Sequence, residues 1–124
     1  MKSASYTYFY TRGDDVRITI RVRENVYDPV TQTYTPGDYI DLTGWTGASE
    51  WRPDPDSTTL ETAVVTMDPD QVTHKGQFTV ELTDIQGRNI EDGWGFDIEL
   101  DDPSGFKQTY IKGTVKMDLD YTHD

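Results

Sequence analysis

The chain alternates apolar and polar residues over four separate stretches. In residues 16–22 every second residue is Val or Ile, and the same alternation covers residues 78–82, 94–100 and 109–119. A period of two places successive side chains on opposite faces of a β-strand, so each stretch predicts a strand with one buried and one solvated face. Weaker alternation or β-branched composition predicts further strands at residues 5–10, 42–52 and 58–67.

Turn-forming residues separate these predicted strands. Pro and Asp cluster at residues 53–57 and 68–70, and residues 101–105 (DDPSG) are typical of a hairpin tip. About seven short strands at this spacing predict an all-β fold, an immunoglobulin-like antiparallel β-sandwich. The 124 residues suffice for one domain, and we therefore expect a single domain over residues 1–124.

Two connections stand apart from this pattern. Residues 27–41 are longer than a strand connection needs and contain Tyr and Pro, so we expect an inserted hairpin or arm there. Residues 83–93 begin with polar residues and carry Ile85 and Ile90, which predicts at most one short helical turn near residues 83–90. No stretch sustains a 3.6-residue period, so no long helix is expected.

The three tryptophans lie at strand positions that predict burial. Trp45 and Trp51 are in phase, with the small residues Gly47 and Ser49 between them, and Trp94 begins an alternating stretch. A series of large and small residues leaves room for rings of a facing sheet.

The net charge of −12 changes the range of partners to expect. Such an acidic surface repels phosphate backbones and anionic lipid, so we expect no nucleic-acid and no membrane partner. The chain has no cysteine, which excludes disulfides and thiolate metal sites. Residues 1–10 lack the apolar run of a signal peptide, and no run is long enough to span a membrane, which predicts synthesis in the cytosol.

Candidate catalytic residues are scarce. His74 and His123 are the two histidines, and neither has a partner at metal-ligand spacing or a nearby nucleophile. No serine lies in a Gly-x-Ser-x-Gly turn, and no glycine-rich phosphate loop is present. We therefore expect no enzyme activity, no catalytic residues, no cofactor and no metal site.

Two acidic or charged motifs have alternative interpretations. Asp54 and Asp56, together with Asp101 and Asp102, are candidates for weak calcium binding between neighbouring turns, although Asp is also simply a good turn residue. Residues 12–14 spell Arg-Gly-Asp, which we interpret as a turn rather than as a receptor motif.

Tyrosine supplies the candidate contact surface. The chain has eight tyrosines, more than this core needs, and Tyr is favoured at protein–protein contacts because it buries area with little loss of rotamer entropy. We expect the N-terminal strand and the 27–41 arm to form the interface, through Tyr6, Tyr8, Tyr10, Tyr27, Tyr34 and Tyr39. On this hypothesis, residues 1–10 contribute to assembly and are dispensable for folding.

The order of five segments resembles a family of Ig-like domains in phage tail and baseplate proteins. The segments are residues 12–22 (RGDDVRITIRV), 41–52 (DLTGWTGASEWR), 76–83 (GQFTVELT), 94–105 (WGFDIELDDPSG) and 109–115 (TYIKGTV). The family includes the N-terminal domain of upper baseplate proteins and short stand-alone virion proteins. The insertion at residues 27–39 departs from the family pattern, which has a short link at this point.

The resemblance implies an architectural role with no catalytic residues. We therefore expect a phage virion structural protein, a tail, baseplate or fibre-adaptor component present in several copies or as a homo-oligomer and bound to other phage structural proteins. A capsid decoration protein on the head surface is one alternative, and a carbohydrate-binding module is another. Solvent exposure of Trp45, Trp51 and Trp94 would favour the carbohydrate-binding module.

Overall fold

The computed structural model describes residues 4–11, 16–105 and 107–118, which form nine strands and one short helix. The elements, in chain order, are β1 (Ala4–Thr11), β2 (Val16–Arg21), β3 (Arg23–Asp28), β4 (Thr33–Tyr39), β5 (Thr46–Arg52), β6 (Glu61–Met67), β7 (Gln77–Leu82), α1 (Asp84–Asn89), β8 (Gly95–Asp101) and β9 (Lys107–Asp118).

Seven strands form one sheet in the order β1-β9-β8-β5-β6-β7-β2. Strand β6 joins its two parts, because residues 61–63 pair with β5 and residues 64–67 pair with β7. The groups β5-β8-β9 and β2-β7-β6 reproduce the arrangement of an immunoglobulin-type sandwich, and β1 adds to β9 in parallel at the edge. The expected all-β sandwich with about seven strands is confirmed.

A row of aromatic residues crosses the larger part of the sheet. Trp51 of β5 pairs in register with Phe96 of β8, and their rings stack with centroids 4.2 Å apart. Phe96 in turn lies opposite Gly113 of β9, where an added Cβ would overlap the Phe96 ring. Tyr6 of β1 is the next residue in the row and meets Phe96 edge to face at 6.4 Å. The absent side chain at Gly113 therefore lets aromatic rings from three strands converge.

The tryptophans follow the expected phase. Trp51 and Trp94 are buried, and the Trp51 indole N–H donates to the hydroxyl of buried Ser49 at 3.0 Å. Trp45 is only partly buried at the edge of the core. Trp51 and Trp94 therefore offer no exposed ring face to a sugar, whereas Trp45 keeps part of its surface exposed.

The inserted hairpin is confirmed, but it begins earlier than residue 27. Strands β3 and β4 pair from Arg23 to Tyr39. The chain leaves the sheet at Val22, whose buried side chain ends the alternation of β2 and whose N–H donates to the Gly76 carbonyl at 2.8 Å. Because the Val22 carbonyl also accepts from the Ile40 N–H at 3.1 Å, the two ends of the hairpin are held together there.

The short helical turn near residues 83–90 is also confirmed, as α1. Thr83 and Gln86 form a reciprocal capping box in which each side chain accepts from the other residue's backbone N–H. The Gln86 amide further donates to the Thr62 carbonyl at 2.8 Å, which fixes α1 against β6.

We predict that Gly113→Ala lowers the free energy of unfolding by about 1–3 kcal/mol, because the new methyl group forces the Phe96 ring out of its stack on Trp51. Urea denaturation followed by tryptophan fluorescence measures the change. Gly95→Ala is the matched control, since its Cβ would lie 3.7 Å from the Gly113 carbonyl oxygen, an ordinary contact. Equal stability of the two variants would contradict the close approach at Gly113.

Candidate docking surface

The arm, defined as residues 23–39, projects from the sandwich as a two-stranded hairpin whose turn is closed by hydrogen bonds. The Asp28 carboxylate accepts from the Val30 N–H at 2.9 Å, and the Asp28 carbonyl accepts from the Gln32 N–H at 2.8 Å. Gln32 adopts a φ of 56°, the left-handed conformation that closes the loop. The hairpin therefore has a defined tip, with Val30 at its end.

The side chains of the arm leave apolar area in solvent on both of its faces. Tyr27 and Tyr34 are cross-strand partners on one face, with ring centroids 5.1 Å apart, and Val26 lies over Gly37 on the other. Val26, Tyr27 and Tyr34 are each about half exposed, and Val30 is 89% exposed. We call these four residues the arm tip. Exposed aromatic and aliphatic side chains on one protrusion are typical of a protein contact site.

The arm depends for its order on the segments that connect it to the sandwich, because an isolated two-stranded hairpin is marginally stable in water. Strands β3 and β4 form a separate sheet and contact mainly each other. Their connection to the sandwich passes through Val22, Ile40 and the 68–76 loop. We call Val22, Ile40 and the 68–76 loop the root of the arm. The contacts of the root determine how rigidly the arm tip is held relative to the sandwich.

Gln71 is the polar centre of that root. Its side chain is 7% exposed, and its carbonyl oxygen accepts from the backbone N–H groups of Leu42 and Gly76, each at 2.9 Å. Its amide nitrogen donates to the carbonyl oxygens of Asp68 at 2.8 Å and Gln77 at 3.2 Å. One side chain thus satisfies four backbone groups and ties the 68–77 segment to the chain returning from the arm.

Gly76 allows the close approach at this point. It has a φ of +83°, and an added Cβ would lie 2.5 Å from the Val22 carbonyl oxygen. The backbone of the 68–76 loop and the backbone at the arm's exit from β2 are therefore in direct contact.

Acidic residues stabilise the loops around the root. The pKa of Asp70 is lowered, mainly because its carboxylate accepts hydrogen bonds from Thr73. The pKa of Asp41 is lowered chiefly by hydrogen bonds from Thr43, with a smaller contribution from the charge of Lys75. Both carboxylates favour the folded turns when ionised.

The three tyrosines of β1 contact core residues and differ in how far they are buried. The inward face of β1 carries three of them: Tyr6 contacts Phe96, Tyr8 meets Trp51 edge to face at 6.0 Å, and Tyr10 is only 2% exposed. The Tyr10 hydroxyl donates to the Gly87 carbonyl at 2.9 Å. Tyr10 is thus a core residue and not a contact residue.

The six tyrosines named from the sequence therefore occupy four kinds of position. Tyr27 and Tyr34 lie together on the arm, and Tyr39 lies partly buried at its root. Tyr6 and Tyr8 pack on the core while keeping part of their surface exposed, and Tyr10 is buried. Because β1 closes the core, the expectation that residues 1–10 are dispensable for folding conflicts with the position of Tyr10.

Sequence reasoning missed two apolar residues of the outer surface. Val26 is exposed on the arm, and Phe9 is exposed on the outward face of β1. The alternation of β1 contained the signal, since Tyr6, Tyr8 and Tyr10 share one face and Phe9 lies on the other. In the arm, strand pairing begins at Arg23, so the predicted hairpin start at residue 27 left Val26 out.

The candidate polar sites behave as turn residues. The Asp54 carboxylate accepts from the Asp56 N–H, and Asp102 accepts from the N–H and hydroxyl of Ser104. His74 Nδ1 lies 3.2 Å from the Asp68 carboxylate in the same loop as Gln71. Within the described ranges, no group of three or more His, Cys, Asp or Glu side chains is placed to hold a metal ion. His123 and residues 12–15 lie outside the described residues.

No family model matches the chain, and no curated protein matches it either. In the part of the chain that the structure describes, no helix has the length and apolar character needed to cross a bilayer.

We predict that Gln71→Ala destabilises the root, because it leaves the buried N–H groups of Leu42 and Gly76 without an acceptor. Each such group costs about 1–3 kcal/mol. Amide hydrogen exchange measures the effect, and we expect faster exchange at both sites and throughout the arm. Val72→Ala, at a 95% exposed neighbour, is the control. Unchanged exchange in the arm of the Gln71 variant would contradict the proposed anchoring.

We predict that removal of residues 1–10 unfolds or strongly destabilises the sandwich, because Tyr8 and Tyr10 belong to its core. The milder variant Tyr10→Phe removes only the hydrogen bond to Gly87 and lowers stability by about 1 kcal/mol. Thermal denaturation of both proteins tests this. A truncated protein with the melting temperature of the intact chain would show that β1 is peripheral.

Proposed function

We propose that this protein is a docking protein without catalytic activity, and that the arm is its principal contact element. The observation that carries the proposal is the arm tip, in which four apolar side chains are exposed on a hairpin fixed at its root. A pre-ordered contact element binds with a smaller entropy cost than a flexible loop.

The setting we propose is a phage virion, with the protein as a tail, baseplate or fibre-adaptor component made in the host cytoplasm. The resemblance of five ordered segments to phage Ig-like domains supports this setting, and the sandwich fold agrees with it. The arm occupies the position at which the sequence departs from that family. We therefore propose that the arm contacts a partner particular to this protein.

Edge-strand pairing offers a second contribution to docking. Strand β1 ends the seven-stranded sheet, and Phe9 on its outward face is 73% exposed. A neighbouring strand added there would pair with the free edge of β1. In this proposal β1 has two roles, because its inner face closes the core while its outer face and edge remain available.

The arm proposal predicts that folding and assembly respond to different substitutions. In the shortened variant, Asn-Gly replaces residues 24–38. The two residues form a hairpin turn that connects Arg23 to its strand partner Tyr39. We expect the shortened protein to keep the thermal stability of the sandwich and to be lost from assembled particles. Particle composition, measured by quantitative mass spectrometry, gives the result.

Point variants sharpen this test. Tyr27→Ser combined with Tyr34→Ser removes the exposed ring pair, and we expect incorporation to fall at least about tenfold, the size of effect seen at interface hot spots. Val72→Ser, which changes an exposed apolar residue off the arm, is the matched control. Normal incorporation of the double Tyr variant would refute the arm as the contact element. Electron microscopy of labelled particles separates a tail position from the alternative position on the head.

A further inference from the structure

The arm root carries two arginines whose guanidinium groups lie over one ring. The guanidinium carbons of Arg21 and Arg23 lie 3.8 Å and 4.7 Å from the centroid of Tyr39. We propose that this arginine pair is a carboxylate-binding site that receives an acidic segment of a partner protein. It is distinct from the apolar arm tip and does not depend on the phage setting.

The arginine pair is held in place by the protein itself. Arg21 Nε donates to the Lys75 carbonyl and Arg23 Nε donates to the Gly37 carbonyl, each at 3.0 Å. Together with the stacking on Tyr39, these bonds fix both side chains while using one donor from each guanidinium. The terminal Nη groups remain available in a preorganised geometry, which reduces the entropy cost of binding.

Among the described residues, neither guanidinium lies within ion-pair distance of a carboxylate. By contrast, Arg17 lies 3.8 Å from Glu81, and Arg52 lies 3.1 Å from Glu50. The charges of Arg21 and Arg23 are therefore not neutralised by an ion pair within the described part of the chain.

The shape of the guanidinium groups indicates the class of ligand. A guanidinium fork matches a carboxylate or a phosphate with two parallel hydrogen bonds. The net charge of −12 repels the dense phosphate backbone of a nucleic acid, whereas a short peptide segment brings only a few carboxylates to one patch. The structure therefore favours an acidic protein segment over a nucleic acid.

The test is an NMR titration of the full chain at low ionic strength with a capped hexapeptide of alternating Asp and Ser. We expect saturable shifts of the Nε–H signals of Arg21 and Arg23, and little shift at Arg17. The same peptide with Asn in place of Asp should produce no saturable shift, because the charge is removed and the size is kept.

Variants then assign the binding to the pair. We expect the double variant Arg21→Gln with Arg23→Gln to weaken peptide affinity at least about tenfold. The control is Arg17→Gln, on the same strand as Arg21, which should change the affinity less than about twofold. Should the double Gln variant unfold, Arg21→Lys combined with Arg23→Lys keeps the charge and removes the fork, and a similar loss of affinity supports the proposal. Equal shifts at Arg17, or unchanged affinity in a folded double variant, would overturn it. Tighter binding of a single-stranded RNA hexamer through the same two signals would also overturn it in favour of a phosphate ligand.

Discussion

The stacking of Trp51 on Phe96 is the interaction on which the rest of the sandwich depends. The stack connects β5 to β8, and the bare backbone at Gly113 lets Tyr6 reach it from β1 across β9. Four strands are thereby fixed in one register, since a shift of one residue would turn the ring of β1, β5 or β8 to the opposite face, or move Gly113 of β9 away from Phe96. In a chain with 34% hydrophobic residues and no disulfide, large rings supply much of the buried area that holds the layers together.

The arm is held in place by a small number of specific contacts. The arm has no core of its own, and its order comes from Gln71 and from the backbone contact between Gly76 and Val22. A buried amide that satisfies four backbone groups is directional, so it fixes orientation as well as contributing stability. The protein can therefore expose apolar side chains at the arm tip while keeping their positions defined. This combination of a firm root and an exposed apolar tip is the physical basis of the docking proposal.

Local patterns predicted most of the fold. The alternation of residues 78–82 and 94–100 placed β7 and β8 within one residue at either end, and the phase of Trp51 predicted its burial. The start of the arm was harder to predict, because Arg23 continues the alternation of β2 and the break at Val22 depends on a tertiary hydrogen bond to Gly76. Tyr10 was misassigned for a related reason. Composition marks Tyr as a contact residue, but only the packing of β1 against α1 shows that its hydroxyl has a buried acceptor.

The site was less accessible to sequence reasoning than the fold. Tyr27 and Tyr34 were identified from the composition of the insertion, whereas the stacking of Arg21 and Arg23 on Tyr39 joins residues on both sides of the arm and cannot be inferred from spacing. Gln71 gave no sequence signal, since an isolated Gln in a polar loop is ordinarily exposed. Its importance arises from burial among backbone groups brought together by the fold.

On the docking proposal, the arm is ordered before binding and becomes covered by its partner. Amide hydrogen exchange, compared between the free protein and the proposed virion particles, distinguishes these two states. We expect measurable protection at the paired amides of β3 and β4 in the free protein, and a further gain confined mainly to residues 23–39 after incorporation. Unprotected arm amides in the free protein, or no gain in the arm after incorporation, would be incompatible with a pre-ordered docking arm.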